Sequence, residues 1–275
     1  MRRVFPGAVA LVLVSSGACG LTQMGSGAPE DASSDAAPAD VAGDPTVDDA
    51  LADDAGDDAP DAAPPRDAAP DACASCPPGF ACAAGVCADD ARAHFSTTTN
   101  PSGNWTWAFH LPEAGAGTVP YPTFFTDNTQ MGVEVWSRAA GSWTPAVFYN
   151  PSDAAVHPYG TLTVDPGELA FHPGPLDENS VVRWTAPTAR TYRATVNLRG
   201  LSGWNDAQPT STGVTVLAKN AVLATVQITG PLAPPINVPP AAFAAGETID
   251  VRVDFGQDGN YGFDSTGVDV HVVAP

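Results

Sequence analysis

The chain has 275 residues, of which 15% are charged, and a formal net charge of −20. Residues 24–72 carry fourteen acidic side chains and one Arg, whereas residues 93–275 carry fifteen acidic and seven basic side chains. This balance excludes nucleic acid as a partner, because phosphates require Lys and Arg, and excludes attachment to anionic lipid by charge alone. We therefore expect neutral or cationic partners.

Residues 1–18 have the layout of a bacterial export signal. Arg2 and Arg3 precede an apolar core over residues 4–14, which is too short to span a bilayer as a permanent helix. The following Ser-Gly-Ala-Cys block resembles the lipobox of bacterial lipoproteins, which implies that Cys19 carries lipid and anchors the protein at the cell envelope, at the outer membrane surface. Ser16 departs from that pattern, since Leu is commonest there, and Ser16 with Ala18 also suits ordinary signal peptidase. A secreted product is the alternative.

Residues 19–72 form a low-complexity stretch of Ala, Asp and Pro with almost no large apolar side chains. Such a composition buries too little apolar surface to offset the entropy of ordering the chain. We predict a disordered acidic linker that acts as a spacer.

Residues 73–88 contain four cysteines, at Cys73, Cys76, Cys82 and Cys87. In an exported protein this density predicts two disulfides, with three pairings open, and a small knot below the main domain. The first Cys-x-x-Cys also has the spacing of zinc ligands, but no His lies within the segment and the compartment is oxidising.

Residues 93–275 show short runs of alternating apolar and polar residues, separated by Gly, Pro, Asn and Asp, and no convincing helical period. This pattern predicts an all-β domain, a jelly-roll-like β-sandwich similar to carbohydrate-binding modules. We predict a hairpin of Val181–Thr185 with Tyr192–Arg199, and a second hairpin turning at Lys219-Asn220-Ala221. The other strands are predicted at His94–Thr99, Trp105–His110, Thr123–Thr126, Gly132–Ser137, Ala146–Tyr149, Thr161–Val164, Glu168–His172, Gly213–Ala218, Val222–Ile228, Thr248–Phe255 and Val268–Val273.

Five ordered strings in this region resemble a module of secreted bacterial proteins. They are NPSGNWTW from Asn100, HPGP from His172, VRWTAP from Val182, AGETID from Ala245 and FDSTGVDV from Phe263. The module commonly reads NPNGxWxYG, HPGP, VRWTAP, AGDTIDF and FDSTGL and has no established activity. Its own similarity to jelly-roll carbohydrate-binding modules implies glycan binding. The chain departs from the pattern at Ala221, where Gly is usual, and in a longer loop over residues 200–212.

No motif for nucleophilic, metallopeptidase, phosphate or dinucleotide chemistry is present, and we predict that the protein is not an enzyme. A glycoside hydrolase would need two carboxylates facing one cleft, and nothing in the spacing of the acidic residues selects a pair. Those available are Asp127, Glu134, Asp165, Glu168, Asp177 and Glu178. His172 and His271 are interpreted as turn or surface residues.

Aromatic side chains in polar loops are the better candidates for a site, because Trp and Tyr stack on sugar rings while amides and carboxylates bind the hydroxyls. The predicted ligand-binding set is Trp204, Asn205, Asp206, Trp143 and Tyr159. Trp105, Trp107 and Trp184 lie on alternating strands and are predicted to be core. Either loop Trp could instead cap the core.

The turn over residues 257–265 is rich in oxygen ligands, and Asp258, Asn260 and Asp264 are candidate ligands for Ca²⁺. It lacks EF-hand spacing, and Asp-Gly-Asn also suits a hairpin turn. We predict a monomeric, lipid-anchored surface protein that binds extracellular glycan. The alternative is a structural or protein-interaction module of the envelope.

Overall fold

A computed structural model describes Cys73 and residues 76–83, 85–112, 117–130, 132–160, 162–201 and 211–275. These residues belong to one compact unit. The predicted export signal, the predicted lipidation site Cys19 and the predicted linker lie outside the described residues, as do Trp204, Asn205 and Asp206.

The described chain folds into two antiparallel β-sheets, which confirms the predicted β-sandwich. Sheet A has nine strands and sheet B has six, ordered β12-β11-β14-β9-β3-β4. The strands are β1 Ala81–Ala83, β2 Val86–Asp90, β3 Trp105–His110, β4 Thr118–Pro120, β5 Thr123–Asp127, β6 Val133–Ser137, β7 Ala146–Tyr149, β8 Leu169–His172, β9 Asn179–Thr185, β10 Arg190–Gly200, β11 Thr212–Ala218, β12 Ala221–Ile228, β13 Ile236–Phe243, β14 Thr248–Asp254 and β15 Thr266–Ala274.

Sheet A divides at strand β15. One edge of β15 pairs with β10, and β10 pairs in turn with β13. The other edge of β15 is shared between two strands. The first residues of β15 pair with β8, which continues through β7 and β6 to β5, and the last residues pair with β2. The cysteine-rich segment is therefore a part of sheet A, through β1 and β2, and not a separate knot below it.

The two disulfides of that segment join Cys73 to Cys82 and Cys76 to Cys87. This result confirms the predicted disulfides and selects one of the three pairings. Cys87 is 4% exposed and belongs to the main core. The knot is thus packed into the sandwich.

The main core lies between the sheets and is rich in aromatic side chains. Trp105, Trp107 and Trp184 are fully buried, as their positions on alternating strands predicted. The rings of Trp184 and Tyr192 meet edge to face with centroids 4.8 Å apart. Such a contact contributes about 0.5–1.5 kcal/mol beyond the burial of the rings.

The predicted hairpin of β9 and β10 is wrong. Strand β9 pairs with β3 and β14 in sheet B, whereas β10 pairs with β13 and β15 in sheet A. The residues between them cross from one sheet to the other, and Ala186 is held by backbone hydrogen bonds to Glu247 and Gly246. Both strands alternate because each presents one face to the same core, and alternation does not distinguish that arrangement from a hairpin.

The hairpin of β11 and β12 is confirmed. It turns at Lys219 and Asn220, whose φ angles are 52° and 64°. Two consecutive positive φ values are the geometry that joins two strands by a two-residue turn.

Two of the predicted strands are absent and others were missed. Residues 95–99 follow a short 3₁₀ turn at Arg92–His94 and form bends. Residues 162–164 form no strand and contribute isolated bridge residues, of which Val164 pairs with Val156. Strand β13 was missed because it contains Pro239 and Pro240, which cannot donate to a ladder; they fall where its register with β10 shifts.

A second, smaller core covers the outer face of β6 to β8. The excursion over residues 150–168 packs on that face, and its cluster includes Val135, Phe148, Val156 and Val164. None of the described residues forms such a cover over the outer face of β10 and β15, which is polar and carries Asn197, Arg199, Asp269 and His271.

Candidate functional site

Two of the predicted ligand-binding residues come together at the surface of the second core: Trp143 belongs to that core, and Tyr159 packs on it from outside. Their ring centroids are 5.0 Å apart and the planes meet at 82°. Trp143 is 8% exposed and packs on Phe148, whereas the side chain of Tyr159 stands out of the surface with 53% exposure. Trp143 is therefore a supporting residue beneath the surface, and Tyr159 presents the accessible ring.

Polar groups surround this aromatic pair. Asp127 Oδ2 accepts a hydrogen bond from Trp143 Nε1 at 2.8 Å, and Gln130 Oε1 accepts one from the backbone N–H of Tyr159 at 2.6 Å. Burial raises the pKa of Asp127, but hydrogen bonds from Thr129 and Trp143 more than offset it and the net pKa is lowered. Partial burial, with Asp127 nearby, raises the pKa of Tyr159, so its hydroxyl stays protonated.

The backbone of Tyr159 is in an unfavourable conformation. Its φ of 55° and ψ of 13° lie near the left-handed region, which bulky residues rarely adopt. Such a conformation costs on the order of 1 kcal/mol and persists only where surrounding contacts hold it. Here the hydrogen bond that the backbone N–H of Tyr159 donates to Gln130 and the ring of Trp143 supply those contacts.

The three candidate calcium ligands differ in their burial and in their hydrogen-bond partners. Asp258 Oδ1 accepts from the N–H of Asn260 at 2.9 Å, and Asn260 Oδ1 accepts from the N–H of Gly262 at 3.0 Å, so both side chains support their own exposed turn. Asp264 is 1% exposed, and its Oδ1 accepts from the N–H of Ser211 at 3.2 Å. The turn joins β14 of sheet B to β15 of sheet A and is not a hairpin turn.

A buried carboxylate that the sequence did not single out, Asp89 on β2, fastens the disulfide segment to sheet B. Its Oδ1 accepts from Trp105 Nε1 at 2.8 Å, and its Oδ2 accepts from Trp184 Nε1 at 3.0 Å and from Asn104 Nδ2 at 2.8 Å. His94 Nε2 lies 3.0 Å from Oδ1. The alternation of Cys87 and Asp89 on one strand face is the signal that could have found it.

The open outer face of sheet A contains a cavity of about 240 Å³ between two ion-pair groups. At one end Arg92 Nε lies 3.1 Å from Asp269 Oδ1, and at the other Arg199 pairs with Glu168 and with Asp165. Two of the carboxylates considered for catalysis, Asp165 and Glu168, therefore share one guanidinium.

Close to this cavity, Asp90, Asp269 and His271 bring possible metal-ligand atoms within 4.8 Å of one another. Both ring nitrogens of His271 already face carboxylates, Asp269 at 2.9 Å and Asp90 at 3.4 Å. Because Arg92 also pairs with Asp269, positive charge already occupies this position, and the group is adequately explained as an ion-pair network.

Among the residues that the structure describes, no helix is long and apolar enough to cross a membrane.

No protein-family model and no curated protein matches the chain. Solved structures with some likeness include the CBM51 of Clostridium perfringens GH95 in complex with methyl-galactose, with 14% identity, a TM-score of 0.31, and coverage of 57% of this chain and 95% of that one. A family 35 carbohydrate-binding module from Clostridium thermocellum has 10% identity, a TM-score of 0.24, and coverage of 56% and 98%. The CBM36-1 domain of a xylanase from the Trinervitermes trinervoides hindgut metagenome has 16% identity, a TM-score of 0.25, and coverage of 39% and 77%. Likenesses of this size carry no functional argument, and the β-sandwich assignment rests on the strand pairing described above.

Proposed function

We propose that the protein displays its β-sandwich outside the cell, as a monomer anchored by lipid at Cys19, and binds extracellular carbohydrate. Tyr159 is the platform on which a sugar ring stacks. Asp127 and Gln130 lie beside it and supply hydrogen-bonding groups for the hydroxyls. In this proposal the Trp204, Asn205 and Asp206 set remains a second contact region.

The conformation of Tyr159 is the observation that supports this proposal. An exposed aromatic ring is held at a positive φ, on a buried indole and among polar groups. Strain of this kind concentrates at functional sites, because the surrounding structure must be built to maintain it. An exposed ring with polar neighbours is also the combination that recognises the apolar face of a sugar.

The test uses the full exported chain on a glycan array and in pull-downs with insoluble polysaccharides. Tyr159→Asn removes the ring while keeping a residue that tolerates a positive φ, so the variant should fold normally and lose at least tenfold in affinity. Tyr261→Asn is the matched control, because Tyr261 is 38% exposed on another turn. Retention on no glycan, or equal retention of both variants, would contradict the platform.

Lipid anchoring has a separate test. The mass of the mature N-terminus should include acyl chains on Cys19, and an unmodified Cys19 would show that the chain is secreted instead.

A structural or interaction role is the second candidate, and exposed apolar side chains on the edge of sheet B favour it. Val222 and Leu223 on the edge strand β12 are 62% and 44% exposed, and Leu232 beyond that strand is 84% exposed. In this case Leu223→Ser, and not Tyr159→Asn, would change retention on isolated envelope material.

A further inference from the structure

Sheet A forks at β15, and the fork leaves part of this strand without a neighbour on one edge. On that edge β8 pairs with residues 266–267 and β2 pairs with residues 271–274, so no described strand pairs with residues 268–270. The carbonyl of Val270 accepts a hydrogen bond there from the N–H of Ala91 at 3.1 Å. Because backbone groups alternate between the two edges of a strand, the carbonyl of Val268 faces the same edge, and no described strand offers it a partner.

The cavity of about 240 Å³ on the outer face of sheet A lies in this fork, and we call it the fork cavity. Leu198 and Val268 line it although their side chains belong to the main core, so they contribute their backbone. Arg92, which follows β2, forms one wall, and the segment over residues 165–168, which leads into β8, forms the other. The cavity is smaller than the roughly 300–1,000 Å³ of sites for drug-sized ligands and suits a ligand of about one ring.

The wall on the β8 side is fixed by contacts within the protein. A Cβ at Gly267 would lie 2.3 Å from Oε1 of Glu168, so the absence of a side chain there makes room for this carboxylate. Glu168 is 7% exposed and accepts hydrogen bonds from Nε of Arg199 at 2.9 Å and from the N–H of Asp165 at 2.9 Å. A ligand would therefore meet a wall that is already ordered, which lowers the entropic cost of binding.

Every charged side chain that lines the fork cavity takes part in an ion pair. Arg92 pairs with Asp269, and Arg199 pairs with Glu168 and with Asp165. A cationic or anionic ligand would compete with one of these pairs, and the displaced partner would be left as an unpaired, partly buried charge. A neutral ligand would leave both ion pairs intact.

Hydrogen-bonding groups of both kinds remain available in the fork cavity. Among the described residues, Nη1 and Nη2 of Arg92 and Nη1 of Arg199 have no partner, and these nitrogens are donors. Within the same part of the chain, Oδ1 of Asn197 and the carbonyl of Val268 have no donor, and these oxygens are acceptors. A hydroxyl group both donates and accepts, so a ligand with several hydroxyls matches this mixed lining.

We propose that the fork cavity binds one neutral sugar residue through its hydroxyl groups. Arg92 and Arg199 donate to these hydroxyls. Asn197 Oδ1 and the carbonyl of Val268 accept from them. Hydrogen bonds with an ionised partner are stronger than neutral ones, and they supply affinity at a place where no aromatic ring of the described residues lines the cavity. This second site rests on the proposal that the protein binds carbohydrate, but it shares no residue with the platform at Tyr159.

The experiment measures the binding of methyl glycosides to the full exported chain by saturation-transfer NMR. The neutral probes are the methyl glycosides of glucose, galactose, mannose and N-acetylglucosamine, and the charged probes are glucuronate and glucosamine. We expect at least one neutral probe to bind, with an affinity that is the same at roughly 0.01 M and 1 M NaCl, because salt screens only interactions between charges. Binding of the charged probes alone, with an affinity that falls as salt is added, would contradict a neutral ligand.

Two substitutions at the surface of the cavity test its lining. Arg92→Met should weaken binding of the neutral probe at least tenfold, because it removes charged donors, and it should fold normally, because the Arg92 side chain is 40% exposed. Asn197→Ala removes an uncharged acceptor and should weaken binding about fivefold. Arg193→Met is the matched control, because Arg193 is exposed on the same face of β10 and does not line the cavity.

The same titrations on Tyr159→Asn separate the two carbohydrate sites. This variant should keep the binding of the neutral glycoside while it loses retention on polysaccharide. The fork cavity is refuted if no neutral probe binds, if Arg92→Met and Asn197→Ala bind as the parent does, or if Tyr159→Asn loses glycoside binding altogether. Glycoside binding that Arg92→Met weakens, together with polysaccharide retention that Tyr159→Asn leaves unchanged, would support the fork cavity and reject the platform.

Discussion

Two aspartates, Asp89 and Asp264, are equally buried at 1% exposure, yet their surroundings differ. Asp89, on a strand of sheet A, lies among donors from sheet B and its flanking residue, two indoles and an amide, with His94 in addition. Within the described part of the chain, Asp264 has donors on one oxygen and none on the other. The burial of a carboxylate therefore does not by itself indicate its role. The role is indicated by how many of its oxygens accept a hydrogen bond.

The largest expected effect is that of Asp89→Asn. The amide nitrogen cannot accept a hydrogen bond, so at least one indole N–H would lose its acceptor in the core. We expect a loss of about 3–5 kcal/mol in the free energy of unfolding, measured by denaturant titration with the disulfides intact.

Asp90→Asn on the same strand is the control and should change stability by less than 1 kcal/mol, because Asp90 is partly exposed. A similar loss in both variants would show that the free energy of unfolding depends on strand β2 as a whole and not on the buried carboxylate of Asp89.

Removal of the Cys76–Cys87 disulfide should have the next largest effect. Cys87 lies two residues before Asp89 on β2, and the bridge closes a loop with a sequence separation of 11. The double variant Cys76→Ser with Cys87→Ser should lose about 3 kcal/mol.

Combined with Asp89→Asn, the loss should be less than additive, since both changes detach β2 from the core. Full additivity would indicate that the disulfide and Asp89 stabilise the fold independently.

The Asp264→Asn variant should behave in the opposite way to Asp89→Asn. At pH 8 it removes a buried charge for which the described residues offer no counter-ion, while its side-chain oxygen can still accept from Ser211. We expect unchanged stability or a gain of about 1 kcal/mol. A loss as large as that of Asp89→Asn would show that Asp264 is a completed structural group, and the comparison would fail.

The smallest effect concerns Asp269, a carboxylate on the outer face of sheet A. The hydrogen bond to Asp269 raises the pKa of His271, and the charges of Asp269 and Asp90 raise it further. Partial burial and the charge of Arg92 lower the pKa, but the net pKa is raised. Because the folded pKa is raised, the stabilisation is complete below the unfolded pKa of about 6.5 and is lost as the pH rises through the folded pKa.

His271→Gln should flatten this part of the stability profile by about 0.5 kcal/mol, a small amount because the side chain is 41% exposed. An unchanged profile would assign the pH dependence to other groups.

The sequence predicted the class of fold because the core strands alternate clearly. Val251 and Val253, or Val268 and Val270, alternate with polar residues that the structure places on the outer faces. Alternation could not assign strands to sheets, and for that reason β9 and β10 were wrongly joined. Strand partners depend on contacts between distant residues, such as Trp105 with Trp184, that no local pattern records.

The candidate site was predicted less completely. Trp143 and Tyr159 were chosen as separate loop aromatics, and their contact depends on the excursion that packs them together. Asp264 was predicted as an oxygen ligand. That its Oδ2 has no hydrogen-bond donor among the described residues depends on the three-dimensional positions of its neighbours, which the sequence does not give. Asp89 could not be distinguished from Asp90 by composition, because the strand geometry alone turns one inward and the other outward.

The division of β15 between β8 and β2 also has a mechanical consequence. Any pull on the chain from its N-terminal side reaches the sandwich through two disulfides and then through the four residue pairs that join β2 to β15. Cys87 pairs with Ala274, so the force is applied at the end of β15. Asp89 also bears part of it, because its carboxylate accepts hydrogen bonds from Trp105 and Trp184. The cysteine-rich segment, predicted as a small knot below the main domain, is therefore the attachment point at which force would be transmitted into the core.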